Sequence, residues 1–289
     1  MKAYKVSSKK QFESLLLEAE RELNNLRMIE NEITDLVAVH GKSWVKGYSW
    51  PMESESQFLV DKMYQDQGRP NFRERLVCYQ TKLNNRVRGA IHVFEQQFCP
   101  QYTDRIYVTE QISLLYNWIK KKYPHSVGSE YLTDVNWLTK LRFQLSIIPQ
   151  KLNHQDLTAL SFSDNVLNHI LSFDCLEHIP DYKCALREIY RTLKPKGVLL
   201  FSVPFNTNAE KTEIRASLDN NSQIIFHSEP EYHGNPMSKK GSLSYYTFGW
   251  EVLEDLRGVG FTESFALVYW SEKYMYLGGP QLLLCAIKK

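Results

Sequence analysis

The hydrophobic and polar positions change rhythm about a third of the way along the chain. Over residues 8–37 apolar side chains recur at Phe12, Leu15, Leu16, Ala19, Leu23, Leu26, Ile29, Ile33 and Leu36. That spacing marks one face of a helix, and Ser8 stands where an N-cap belongs. The stripe serves equally to pack the helix on its own domain or to form a homodimer. Residues 86–98 (RVRGAIHVFEQQF) predict a further helix, closed before Pro100.

From about Tyr102 the pattern alternates between strands and helices. Short β-branched or apolar runs at 106–109, 127–131, 154–156, 168–173 and 198–203 predict five strands. Helices are expected over 113–122, 182–193 and 250–259, the second stopped by Lys194-Pro195-Lys196-Gly197. Residues 265–270 and 282–287 read as a final antiparallel pair. Such alternation means a mostly parallel sheet with helices on both faces, and ligands in such sheets sit at the carboxyl ends of the strands. We place an accessory, mainly helical region over 1–100 and the α/β domain over 101–289. The stretch 136–151, with Trp137, Leu141 and Phe143, is left open as lid, core piece or interface.

The first strand-to-helix turn is Thr109-Glu110-Gln111, with no glycine. In nucleotide-binding α/β domains this turn is normally glycine-rich, so the site is either absent or built another way. The strand ends nevertheless gather Glu110, Glu130, Asp156 and Asp174. Acids clustered at one edge repel each other and need a reason. Glu130 follows Glu110 by twenty residues, where such folds place an acid for ribose hydroxyls.

The decisive segment runs from Asp156 to Phe205. It contains D-L-T-A-L-S-F-S-D at 156–164, S-F-D-C-L-E-H-I-P-D at 172–181, A-L-R-E-I-Y-R-T-L-K-P-K-G at 185–197 and a strand ending in Val203-Pro204. It resembles the class I S-adenosylmethionine-dependent methyltransferases, closely over about fifty residues and by pattern over the rest of the C-terminal two-thirds. The resemblance implies a Rossmann-like sheet and S-adenosylmethionine as cofactor. Some relatives place an acidic turn where others have glycines, and Thr109-Glu110-Gln111 looks like that variant. By this resemblance Thr109, Glu110, Glu130, Tyr131, Asp156, Leu157, Phe173 and Asp174 bind the cofactor. Glu110 faces its ammonium, Glu130 its ribose, and Asp156 with the Leu157 N–H its adenine. Phe173 and Asp174 line the floor near the sulfonium. Helix N-termini favour anions, so N–H groups near Ser113 are expected to receive its carboxylate.

A hydroxyl acceptor also needs a base. His233, in E-Y-H-G-N-P (231–236), is the first candidate and His178 the second, with Tyr232 and Tyr245 as pocket walls. Asp174, Glu177 and His178 form D-x-x-E-H, similar to the E-x-x-E-H that holds a divalent cation in some quinone O-methyltransferases. E-H-I-P also occurs in metal-free relatives, and no metal is assigned. Ser49, Met52, Cys78 and Thr81 resemble the positions of two C-x-x-C pairs ahead of the core in relatives, which implies a degenerate zinc-ribbon-like element packed around Trp44, Tyr48 and Trp50.

Composition narrows the partners. A net charge of +2 on 289 residues argues against nucleic acid. No run reaches the ~18 apolar residues of a membrane span, and the start, MKAYKVSSKKQF, lacks the apolar core of a signal peptide. The five scattered cysteines fit a reducing, cytoplasmic setting. The expectation is an enzyme methylating a small molecule or glycan, O-linked rather than N-linked. The alternative is an inactive methyltransferase fold used as a binding or partner subunit.

Overall fold

A computed structural model describes residues 1–133, 151–235 and 238–289. The open stretch 136–151 lies outside the described residues except for Lys151, and so does Pro236 of the 231–236 loop. The chain forms two compact units: 1–100 with 266–283, and 101–265 with 284–289.

The first unit begins with strand β1 (Ala3–Val6) and helices α1 (Lys9–Glu18) and α2 (Glu20–His40). Ser8 caps α1, its Oγ accepting from the Gln11 N–H at 3.3 Å. The single helix expected over 8–37 breaks at Ala19, where ψ is 4°. Its stripe is spent inside the unit: Phe12, Leu15, Leu23, Leu26, Ile33 and Val37 are buried, while Met28, Leu36 and Val39 are exposed. Strands β2 (Lys42–Ser49), β3 (Ser54–Asp61) and β4 (Val77–Cys78) make a three-stranded antiparallel sheet, and α3 (Asn85–Phe98) follows. Asn84 caps α3 by accepting from the Val87 N–H.

A zinc-ribbon-like element is not shown. Cys78 Sγ lies 3.3 Å from Ser56 Oγ and 3.8 Å from Ser49 Oγ, a small hydrogen-bonded cluster. Met52 is partly exposed. Trp50 stacks on His92 at 3.9 Å and meets Tyr274 edge-on, as Tyr48 does. Trp44 meets Tyr79 edge-on instead.

The 266–283 segment completes this unit. Glu30, buried in α2, accepts from the N–H groups of Gly278 and Gly279 at 2.8 and 3.1 Å. The fully buried Arg88 donates to the carbonyl of Tyr274 at 2.8 Å and lies over the Phe58 ring. Tyr4 stacks on Trp270 at 4.9 Å.

The second unit supplies β5 (Ile106–Val108), α4 (Leu114–Lys122), β6 (Val127–Gly128), β7 (Leu167–Phe173), α5 (Tyr182–Thr192), β8 (Leu193–Ser202) and α6 (Glu251–Val259). Between β8 and α6 lie the short strands β9 (Glu213–Ile214), β10 (Ala216–Leu218), β11 (Ile224–Phe226), β12 (Tyr232–Asn235), β13 (Ser238–Leu243) and β14 (Tyr246–Thr247). The last strands, β15 (Glu263–Ser271) and β16 (Tyr276–Ile287), each contribute residues to both units.

The main sheet is seven-stranded, in the order β1-β15-β16-β8-β7-β5-β6. β6, β5, β7 and β8 pair in parallel, whereas β16 runs antiparallel to β8 and β1 antiparallel to β15. The strand expected over 154–156 reduces to one parallel bridge between Glu130 and His154. Ile170, Leu171, Leu199, Leu200 and Phe201 are almost wholly buried, as strands covered on both faces require. The parallel arrangement places the carboxyl ends of β5, β6 and β7 at one edge. Among the described residues, no helix is long and apolar enough to cross a membrane.

Candidate active site

The turn after β5 is held by side chains rather than shaped by glycine. Thr109 continues the strand, its N–H donating to the Leu171 carbonyl and its hydroxyl to Ser172 Oγ. Beyond Glu110, two successive N–H groups go to one atom. Glu130 Oε1 accepts from Gln111 N and Ile112 N at 2.7 Å each. The Gln111 side chain is buried; its Oε1 accepts from the Asn153 N–H at 2.8 Å and its Nε2 donates to the Lys151 carbonyl at 3.2 Å. Ser113 then caps α4 by accepting from the Tyr116 N–H at 3.0 Å.

The glycine this turn relies on lies in the neighbouring strand. A Cβ on Gly128 of β6 would fall 2.6 Å from the Tyr116 ring and 2.8 Å from the Glu110 carbonyl oxygen. Real Cβ atoms do not sit that close, so the turn and the start of α4 approach β6 only because residue 128 has no side chain. Gln111 and Gly128 were not singled out in the sequence. The twenty-residue spacing that marked Glu130 was the available signal, since it already joined turn and strand.

The other cofactor candidates have defined places. Asp174, directly after β7, holds a left-handed φ of 48°. Its N–H donates to the Ser202 carbonyl and its Oδ1 accepts from the Ser202 hydroxyl at 2.8 Å. Backbone strain of this kind in a non-glycine residue concentrates at functional sites. Phe173 is buried. Asp156 Oδ1 accepts from both the N–H and the hydroxyl of Thr158 at 2.8 and 2.7 Å, and Leu157 is buried beside it. Tyr131 is exposed, its ring 5.5 Å from that of His154.

Electrostatics ties three of these elements together at Cys175. Its thiol is pushed up to about 12, first by burial, then by the Glu177 carboxylate, with Glu110 and Glu130 adding and a hydrogen bond with Thr109 opposing. The residues that act on it lie at or just after the ends of β5, β6 and β7. Glu130 itself is raised above the usual carboxylate range because burial outweighs its two N–H donors.

The histidine candidates meet at Glu177, in the short turn Leu176–His178. Glu177 is wholly buried, and among the described residues neither carboxylate oxygen has a hydrogen-bond partner. His178 Nε2 lies 3.7 Å from Glu177 Oε1, and His233 Nδ1, arriving on β12, lies 3.3 Å from the same atom. The far nitrogens are engaged. His178 Nδ1 donates to the Leu243 carbonyl at 2.8 Å and His233 Nε2 to Glu231 Oε1 at 3.2 Å. Glu177, more than burial opposes, raises the His233 ring above its ordinary value. Of the expected pocket walls, Tyr245 is buried and Tyr232 exposed.

Residues 118–201 match a family model described as a methyltransferase domain. Among curated proteins, phosphoethanolamine N-methyltransferase 2 of Caenorhabditis elegans is 36% identical over 53 residues, 18% of this chain. The chain spans 12% of the length of that relative. Similar solved structures include an S-adenosylmethionine-dependent methyltransferase from Mesorhizobium loti, at 12% identity and TM-score 0.43, covering 69% of this chain and 98% of that one. Another is Haemonchus contortus phosphoethanolamine N-methyltransferase 2 with S-adenosylhomocysteine, at 13% identity and TM-score 0.42, covering 69% and 52%. The match over 118–201 runs from within α4 into β8 and takes in the ends of β6 and β7, and over these residues the chain is similar to a methyltransferase domain.

Proposed function

We propose that the chain methylates a hydroxyl of a small molecule or glycan, using the site at the ends of β5, β6 and β7. The observation that carries this reading is the glycine-free turn after β5 held by Glu130 at the end of β6, with Asp174 in a left-handed conformation at the end of β7. Acids gathered at the carboxyl edge of a parallel sheet fit a ligand bearing positive charge and hydroxyl donors, and S-adenosylmethionine has both. It supplies a methyl group on a sulfonium, transferred by in-line displacement.

The chain's own residues bind, align and exclude water. Glu110 would meet the ammonium. Glu130, with Oε1 committed to the turn, would offer Oε2 to the ribose. Asp156, Oδ1 likewise committed, would offer Oδ2 to the adenine amino group and the Leu157 N–H would complete that edge. Tyr131 would cover the ring, Thr109 would support the turn, and Phe173 with Asp174 would form the floor. His233 and His178 would take the acceptor's proton, His233 first. The near-neutral charge favours a small or uncharged acceptor over nucleic acid. An amine acceptor is the variant that the phosphoethanolamine relative suggests. Self-association through α2 would use its exposed Met28, Leu36 and Val39.

One observation favours a second reading, an inactive partner subunit. The Gln111 and Ile112 N–H groups, which could face a ligand's carboxylate, are taken by Glu130 of the chain itself. Titration calorimetry separates the two. The active reading expects micromolar binding of S-adenosylmethionine that Glu130→Ala weakens at least tenfold, about 1.4 kcal/mol. Binding that is absent at millimolar cofactor would leave the inactive reading.

A further inference from the structure

We propose that Glu177, His178 and His233 form a binding site for one divalent transition-metal ion, zinc being the ion they suit. Glu177 Oε1, His178 Nε2 and His233 Nδ1 are the ligand atoms, and all lie within 4.8 Å of one another. Donors about 2.1 Å from a tetrahedral zinc stand about 3.4 Å apart. The two distances from Glu177 Oε1, 3.3 and 3.7 Å, bracket that value.

Two further features fit a metal better than a plain ion pair. Glu177 is a wholly buried carboxylate with both oxygens lacking a hydrogen-bond partner among the described residues, and buried charges are normally paired or metal-bound. Both histidines are also oriented from behind, His178 by the Leu243 carbonyl and His233 by the Glu231 carboxylate. A metal-ligating histidine characteristically donates its other N–H to such a group, which fixes the tautomer and leaves a lone pair for the ion. Here each ring is turned so that its remaining nitrogen faces Glu177.

The ligand set is not the linear D-x-x-E-H. Asp174 Oδ1 is engaged by the Ser202 hydroxyl, and the third ligand comes from β12. Two imidazoles and one carboxylate select zinc or a neighbouring first-row ion over magnesium or calcium, which prefer oxygen. Three protein ligands leave a fourth position for water or an acceptor oxygen. A hydroxyl bound there would be more acidic, so the ion would take over the deprotonation assigned above to His233. That role rests on the methyl-transfer reading; the binding site does not.

Chelator-treated, metal-free protein titrated with zinc chloride by calorimetry, and with cobalt(II) by visible absorption, tests the site. The expected result is one equivalent bound at micromolar affinity or tighter, with a tetrahedral cobalt spectrum. Glu177→Gln, which keeps the buried shape, and His233→Ala, on a half-exposed hairpin, should each weaken binding at least tenfold. His227→Ala, whose ring bonds only to Ser217 among the described residues, should leave it unchanged. Absence of saturable one-to-one binding by the unaltered protein, or full affinity in folded Glu177→Gln, overturns the proposal. Cofactor titration of the same metal-free sample keeps the readings apart. Zinc bound without cofactor affinity refutes the methyl-transfer reading alone, and cofactor bound without zinc refutes the metal site alone.

Discussion

Glu130 shows how one side chain serves both the fold and the site. Its Oε1 replaces what a glycine-rich turn would do with its own backbone, gathering the Gln111 and Ile112 N–H groups. Burial raises its carboxyl above the ordinary value of 4.5 despite those donors. A raised carboxyl stabilises the fold below the unfolded value, and that contribution is lost as pH rises through the folded value. Glutamine can accept the same two bonds without ionising. Thermal melts between pH 4 and 8 should therefore show Glu130→Gln gaining on the unaltered protein as pH rises, then levelling off. A gap independent of pH would mean the carboxyl is not shifted. Glu130 was legible in the sequence as a strand-end acid. Its grip on the turn was not, because that depends on the register of β6 against β5, which no local pattern encodes. Glu177 was visible only within a motif, since its partner His233 approaches from a hairpin more than fifty residues away.

At the scale of elements, local signals served well and distant ones poorly. Helices α3 to α6 fall within a residue or two of their expected ends because their boundaries are set by nearby side chains. Asn84, Ser113 and Asp181 each cap by accepting from an N–H three residues on. The break at Ala19 has no glycine or proline to announce it. Strand β1 was not foreseen because its reason is β15, at the far end of the chain. A close element contact near the site is α4 and its turn against β6 at Gly128. Gly128→Ala should cost about 1–3 kcal/mol, as overpacking of a fitted interface does, and should also weaken cofactor binding by displacing Glu110. Gly234→Ala, with nothing within 4 Å of the added methyl, is the matched control. Equal melting temperatures for the two variants would refute the close approach.

Each of the two units holds a buried group, His92 in the first and Glu130 in the second, and the two titrate with opposite effects on stability. In the first, burial holds the His92 ring down at about 3, with the N-terminal ammonium and Lys273 adding. The unfolded chain takes up that proton at its ordinary value of 6.5, so stability falls as pH drops from there toward 3. His92→Phe, which keeps a ring against Trp50, should flatten that loss in urea melts compared at pH 7 and 4.5. An unchanged pH dependence would show that the histidine is not its source. In the second unit Glu130 works the other way. The sequence reading divides the chain into 1–100 and 101–289, whereas the compact units are 1–100 with 266–283 and 101–265 with 284–289. The return of 266–283 to the first unit was not legible, because those strands read simply as the end of one sheet.

That return bears on how the protein is made. The first hundred residues leave the ribosome long before 266–283 exist. Until then Glu30 lacks Gly278 and Gly279, Arg88 lacks the Tyr274 carbonyl, and Tyr4 has no Trp270 to stack on. At ordinary synthesis rates the wait for residues 101–265 is on the order of 10–30 s. The unit synthesised first is thus completed only near the end of the chain, and a nascent chain stalled before residue 266 exposes an unfinished one to chaperones and proteases.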